Sequence, residues 1–185
     1  MNTLSLVHQQ LEQFLRPGFS VIDATAGNGR DTQFLCGLVG QNGHVLAFDI
    51  QPQAVDNTRK RLEADGWGDM ARVVLDSHAN MAQYARPDSV DCIVFNLGWL
   101  PGGDHSIFTH ADSTIAAIEA GLTLLRDGGL MCVSIYYGGA SGYEERDALL
   151  EYVRTIDPAR YTVLVTQFAN RGGDPPIPVF ITKST

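Results

Sequence analysis

The sequence predicts an α/β protein: a seven-stranded, mostly parallel sheet with helices on both faces, forming one domain over residues 1–185. Three observations predict it. Short apolar runs alternate with stretches of helical periodicity along most of the chain. The run Val90 to Phe95 is almost continuously apolar, as expected of a strand covered on both faces. The last two predicted strands, 161–168 and 179–183, have no helix between them and so form an antiparallel hairpin at the sheet edge.

The elements follow in order. Leu4, Val7, Leu11, Phe14 and Leu15 fall at helical spacing and give a first helix over about 3–16, which Pro17-Gly18 stops. A strand over 19–23 leads to a helix over 31–39 with Phe34, Leu35 and Leu38 on one side. Gln41-Asn42-Gly43 turns into a strand over 44–49. Pro52 stands in the first turn of the next helix, where its missing N–H costs nothing, and Asp65-Gly66 closes that helix. A strand over 72–75, a short helical piece over about 79–84 and the strand 90–95 come next. A glycine- and proline-rich loop then precedes a helix over about 113–125. Arg126-Asp127-Gly128-Gly129 predicts a turn into a strand over 130–136. A glycine loop over 138–142 and a helix over 144–156 lead to the final hairpin.

Composition narrows the function. Apolar residues make up 44% of the chain, which excludes disorder. No apolar run reaches the length of a membrane span, and no basic segment followed by an apolar stretch opens the chain, so neither a membrane anchor nor a signal peptide is expected. Cys36, Cys92 and Cys132 are widely spaced in apolar surroundings and predict buried thiols in a reducing cytoplasm, not a disulfide framework or a metal site. The net charge of −8 argues against a general nucleic-acid coat but leaves room for a local basic patch.

The chain is organised around Val21 to Thr32, where an apolar strand ends in Asp23 and a small-residue turn with Gly27 and Gly29 opens a helix. Such a turn lets backbone approach a ligand, and the helix offers free N–H groups at its start. The pattern is neither G-x-G-x-x-G nor a P-loop, and it lacks the lysine a phosphate would want. Asp23, Thr25, Gly27, Asn28, Gly29, Asp31 and Thr32 are therefore candidate contacts to a nucleotide or nucleoside ligand. Asp49 ends the second strand about twenty residues past Gly29, where a carboxylate can hold both ribose hydroxyls; capping the helix at Pro52 is the structural alternative. Gln51 is a weaker candidate beside it. Asp76, Ser77 and His78 end the third strand, where resemblance to methyltransferases implies contact with an adenine edge.

Asn96-Leu97-Gly98-Trp99-Leu100-Pro101 follows the fourth strand. The stretch resembles the N/D-P-P-Y/F motif of amino-group methyltransferases, and that resemblance implies that the Asn96 oxygen accepts from a target amine and turns its lone pair toward the methyl donor, while Trp99 stacks on a base. The acceptor amine must be neutral to attack, and Asp104 or His105 could take its proton.

The D-x-x-x-G-x-G turn is similar to the first motif of class I S-adenosylmethionine-dependent methyltransferases, with Thr25 in the first glycine position. Together, the Asp23–Thr32 stretch, Asp49-Ile50-Gln51, Asp76-Ser77-His78 and Asn96-Leu97-Gly98-Trp99-Leu100-Pro101-Gly102-Gly103-Asp104 resemble the YtqB/MnmM-like methyltransferases, once labelled putative rRNA methylases. The resemblance implies the Rossmann-like class I fold with strand order 3-2-1-4-5-7-6. It implies S-adenosyl-L-methionine as cofactor, with S-adenosyl-L-homocysteine as product. It further implies methylation of 5-aminomethyl-(2-thio)uridine to 5-methylaminomethyl-(2-thio)uridine at the tRNA wobble position, with the anticodon region as partner. A homodimer would supply the RNA surface from two chains. Trp99 stands where the family pattern has Tyr, His105 where it has Lys, and Tyr137-Gly138-Gly139 where it has Pro-Gly-His. The alternatives are a methyltransferase for an rRNA base amine or a small-molecule amine, and a non-catalytic nucleoside-binding domain.

Overall fold

A computed structural model of the chain describes residues 1–97, 111–137 and 139–185. One seven-stranded sheet runs through it, made of β1 (Ser20–Asp23), β2 (His44–Asp49), β3 (Ala71–Leu75), β4 (Val90–Asn96), β5 (Leu125–Ile135), β6 (Tyr161–Val165) and β7 (Ile177–Lys183). Its order is β3-β2-β1-β4-β5-β7-β6, as the family resemblance implies. Neighbours from β3 to β5 are parallel, and β7 lies antiparallel between β5 and β6. The order reverses at β1, so β2 and β4 leave it on opposite sides and a crevice opens at its carboxyl end.

Alternation along the central strands builds two cores. Val21, Val45, Val73, Cys92 and Val94 face α1 (Thr3–Phe14), α2 (Arg30–Val39) and α3 (Pro52–Ala64). Ile22, Phe48, Ile93 and Phe95 face a short 3-10 helix (His78–Gln83), α4 (Ala111–Leu124) and α5 (Gly139–Val153). This explains why β4 reads as continuously apolar: both of its faces are buried.

The first helix begins where Asn2 accepts from the Ser5 N–H at 2.8 Å. It buries Val7 and Leu11, with Leu15 just beyond its end; each such side chain contributes roughly 1.5–3 kcal/mol. Thr3 Oγ1 also donates to Pro176 O at 2.7 Å, tying α1 to the segment before β7. Cys36, Cys92 and Cys132 are free, buried thiols, and burial pushes Cys36 up to about 12. No helix among the described residues is long and apolar enough to cross a membrane.

Two expectations are corrected. Arg126 to Gly129 is not a turn preceding β5 but an irregular first part of it. Val90 pairs with Leu125 and Cys92 with Leu130, so the extra β5 residues bulge out, with Gly128 at φ +72°. The helix of the last third begins at Gly139 rather than near residue 144 and ends at Val153, because the glycine-rich stretch joins its first turn. Trp99, Asp104 and His105 lie outside the described residues.

Lys183 closes the sheet from β7. Its buried ammonium donates to Leu125 O at 2.9 Å and pairs with Asp88, whose φ is +56°. Lys183→Met keeps the stem and removes these donors, so urea unfolding should show a loss of about 1–3 kcal/mol with an unchanged slope. A loss under about 0.5 kcal/mol would show that the pair adds nothing.

Candidate functional site

The turn between β1 and α2 is knitted to both flanking strands. Ala24 N donates to Val94 O at 2.8 Å and Ala26 N to Phe48 O at 2.9 Å. Asp23 is fully buried; its oxygens accept from Thr32 Oγ1 at 2.6 Å and Thr25 N at 3.1 Å. Burial raises its carboxyl to about 7 against those bonds, and the neighbouring Asp31 and Asp49 push the same way. Asp23 and Thr32 thus shape the loop from inside.

Gly27 and Gly29 have φ of +53° and +78°. A Cβ at Gly29 would come within 2.9 Å of Thr58, so α3 packs on the turn only because that residue is glycine. From α3, Thr58 Oγ1 donates to Gly27 O at 3.0 Å, Arg61 Nε to Asn28 O at 2.9 Å and Asn57 Nδ2 to Asn28 Oδ1 at 3.0 Å. Thr25, in the usual glycine position, does what glycine could not: its hydroxyl accepts from the Asn96 N–H at 2.7 Å, tying the turn to the end of β4.

Asp49 is half-buried at the end of β2. One oxygen accepts from Gly27 N at 2.9 Å and the other from Gln51 N at 2.9 Å. Burial raises its pKa, opposed by these backbone donors. A carboxylate has further lone pairs, so both oxygens can still accept from a ligand. Gln51 is the N-cap residue of α3 and makes no side-chain capping bond.

The cluster after β3 is largely committed locally. Asp76 accepts from Tyr84 OH at 2.7 Å, Asn80 Nδ2 at 2.8 Å and Ser77 N at 2.7 Å, which holds its carboxyl below the usual range. Ser77 Oγ caps the 3-10 helix through Ala79 N. His78 Nδ1 lies 3.1 Å from Ala24 O, and burial lowers the ring's pKa.

Asn96 is where the elements converge. Its Nδ2 donates to Asp31 Oδ2 at 3.0 Å, and Asp31 Oδ1 lies 3.0 Å from His8 Nε2. The His8 ring stacks on Phe34 with centroids 3.9 Å apart and planes at 14°. Asn96 Oδ1 is buried and has no hydrogen-bond partner among the described residues. A small void of about 10 Å³ lies against His8, Asp31, Asn96 and Ser134, lined otherwise by apolar side chains of α1 and α2 and by Val94.

The structure thus brings together Asp23, Thr25, Gly27, Asn28, Gly29, Asp31, Thr32, Asp49 and Asn96. Sequence reasoning gave no separate role to His8 or Ile50. His8 sits beside Val7 on α1, and no local pattern marks it. Ile50 is 55% exposed directly after Asp49, and Leu75 and Tyr136 are also exposed at strand ends, offering apolar faces at the sheet's carboxyl edge. An apolar residue directly after a strand-ending acid was the available signal for Ile50. A groove of about 990 Å³ lies at the opposite, amino ends of the strands, against Ser20, His44, Ala71 and Ser89, and contains none of these residues.

The family model described as putative rRNA methylase matches residues 45–182. A chloroplastic tRNA (mnm(5)s(2)U34)-methyltransferase of Arabidopsis thaliana is 34% identical over 175 residues; the match covers 90% of this chain, which spans 64% of the length of that curated relative. The crystal structure of a putative rRNA-methylase from Clostridium thermocellum superposes with a TM-score of 0.95 at 43% identity, covering 99% of this chain and 98% of that one. A putative methyltransferase from Streptococcus mutans, in complex with SAH, has a TM-score of 0.88 at 35% identity, covering 99% and 98%.

The raised Asp23 pKa has a stability signature. Folding favours the protonated acid, so its contribution is complete below the ordinary value of 3.8 and is lost as pH rises toward about 7. Unfolding titrations should show wild type losing up to ~1.4 kcal/mol per pH unit from this group across that window, and Asp23→Asn lacking that part of the slope. Equal slopes would remove Asp23 as its source.

Proposed function

This chain belongs to the putative rRNA methylase family of S-adenosylmethionine-dependent methyltransferases, and from that premise we propose that it methylates the amine of 5-aminomethyl-(2-thio)uridine at the tRNA wobble position. The observation that carries the proposal is the amide of Asn96, held by Asp31 with its oxygen buried and unpartnered among the described residues. A buried acceptor without a partner is costly, and an N–H of an incoming amine supplies the partner.

The residues at the crevice fit the cofactor. Asp31 and Asp49 border the turn with carboxylates, which suits a cationic sulfonium and disfavours a dinucleotide's phosphates. Asp49 would hold the ribose hydroxyls, Ile50 would face the adenine, and the Gly27-Asn28-Gly29 backbone would approach the ligand closely. When bound, S-adenosylmethionine supplies a methyl group activated on sulfur.

This chain's own part is to position the acceptor. Asn96 Oδ1 accepts from one amine N–H and turns the nitrogen lone pair toward the methyl group. Exclusion of water at the site lowers the amine's pKa and favours the neutral, nucleophilic form. Trp99 stacks on the uridine and Asp104 accepts the released proton, both placed by sequence position. The name of the Arabidopsis relative supports the wobble-uridine substrate, and the anticodon region is the partner in this proposal.

Mass analysis of wobble nucleosides from cells lacking the protein should show 5-methylaminomethyluridine lost and its aminomethyl precursor accumulated; an unchanged nucleoside profile would refute the proposed substrate. With purified protein, Asn96→Ala should lower kcat roughly 100-fold while calorimetry shows S-adenosylhomocysteine affinity nearly unchanged. Asp49→Ala should weaken that affinity by about tenfold or more, and wild-type binding would reject the ribose assignment.

A further inference from the structure

We propose that Asp31 and His8 are positioning residues that decide which end of the Asn96 amide meets the methyl acceptor; this rests on the amine-methylation proposal above. An asparagine side chain has two ends of opposite character, an acceptor oxygen and a donor NH₂. With the oxygen toward the substrate amine, the amine donates and its lone pair stays free. With the NH₂ group there instead, the lone pair would be taken up as a hydrogen-bond acceptor and could not attack. The two ends are close in shape, so packing alone does not choose between them.

Asp31 makes the choice. An ionised carboxylate only accepts, and Asp31 Oδ2 lies 3.0 Å from the Asn96 amide nitrogen, so the NH₂ end must face it. The oxygen is thereby turned to the other side, where it is buried and unpartnered among the described residues. The backbone of Asn96 is fixed separately, through its N–H to Thr25 Oγ1. Rotation about the side chain is then the remaining freedom, and Asp31 removes it.

Asp31 is itself held. It lies in the first turn of α2, just after Gly29, and its other oxygen is 3.0 Å from His8 Nε2. Facing an ionised carboxylate, Nε2 carries the proton and donates. The His8 ring lies flat on Phe34, which stands one helical turn beyond Asp31, so His8 is braced by the same helix whose carboxylate it clamps. The N-terminal helix thus does more than cover the sheet. Its buried Val7 and Leu11 seat it, and His8 reaches from it into the site.

Three variants test this. Asp31→Asn keeps the shape but offers both ends to Asn96, so the amide can turn over. His8→Phe keeps a ring on Phe34 and removes the donor. His8→Gln restores a donor without a ring. The first readout needs no RNA: the ¹⁵N-resolved side-chain NH₂ signal of Asn96 in protein saturated with S-adenosylhomocysteine. It should be distinct and slow to exchange in wild type and His8→Gln, and altered in Asp31→Asn. The second readout is kinetic. Asp31→Asn should lower kcat by roughly 10- to 100-fold with KM for tRNA within about twofold, and His8→Phe by about 5- to 10-fold. His8→Gln should recover to within about twofold of wild type.

An unaltered Asn96 signal in Asp31→Asn, or wild-type kcat in both Asp31→Asn and His8→Phe, overturns the proposal. So does a loss confined to S-adenosylhomocysteine affinity, which would make Asp31 a cofactor ligand only. A kcat loss that follows the melting temperature and is not recovered by His8→Gln also overturns it. Should wild type fail to methylate tRNA while the Asn96 signal still responds to Asp31→Asn, the tRNA substrate is wrong and the orientation of the amide stands.

Discussion

A hydrogen bond sealed inside the protein, from Thr32 Oγ1 to Asp23, sets where everything at the crevice can be. It joins the end of the central strand to the first turn of α2 and so fixes the direction in which that helix leaves the sheet. The turn between them must then reverse within a few residues, which the positive-φ glycines at 27 and 29 allow. α3 closes on the turn because Gly29 leaves room for Thr58. Asp31, one residue before Thr32, is carried to its place beside Asn96 and His8 by the same constraint. An acid buried with its pKa raised is an expensive joint, which suits a strand end that holds a site rather than merely a fold.

The sheet was largely legible from the sequence because its signals are local. Alternating periods mark strands and helices, and the apolar continuity of β4 marks a strand with two covered faces. What failed was also physical. Arg126 to Gly129 carries turn chemistry, yet its residues are absorbed into β5 as a bulge, since pairing to β4 on either side outweighs local preference. The glycines before α5 read as a loop, although the helix starts among them.

At the crevice, the positions of the glycine turn and of the acid ending β2 could be read from spacing alone. Their separate jobs could not. Asp23 and Asp49 both end strands in the same pattern, but one is fully buried and the other half-exposed, and only the packing of α2 and α3 tells them apart. Asp76 is spent on the 3-10 helix that follows it. His8 was invisible because its partner Asp31 lies 23 residues away and its function depends on a stacking contact between two helices.

Thr25 carries a consequence for anyone re-engineering this protein by averaging over related sequences. Consensus substitution usually raises stability, and a glycine is the common choice at this point of the turn. Here the hydroxyl is the tether that makes the glycine turn and the tip of β4 one body. Placing glycine there would uncouple them, and a library scored by thermal tolerance alone could pass the change while losing the alignment of the turn with Asn96.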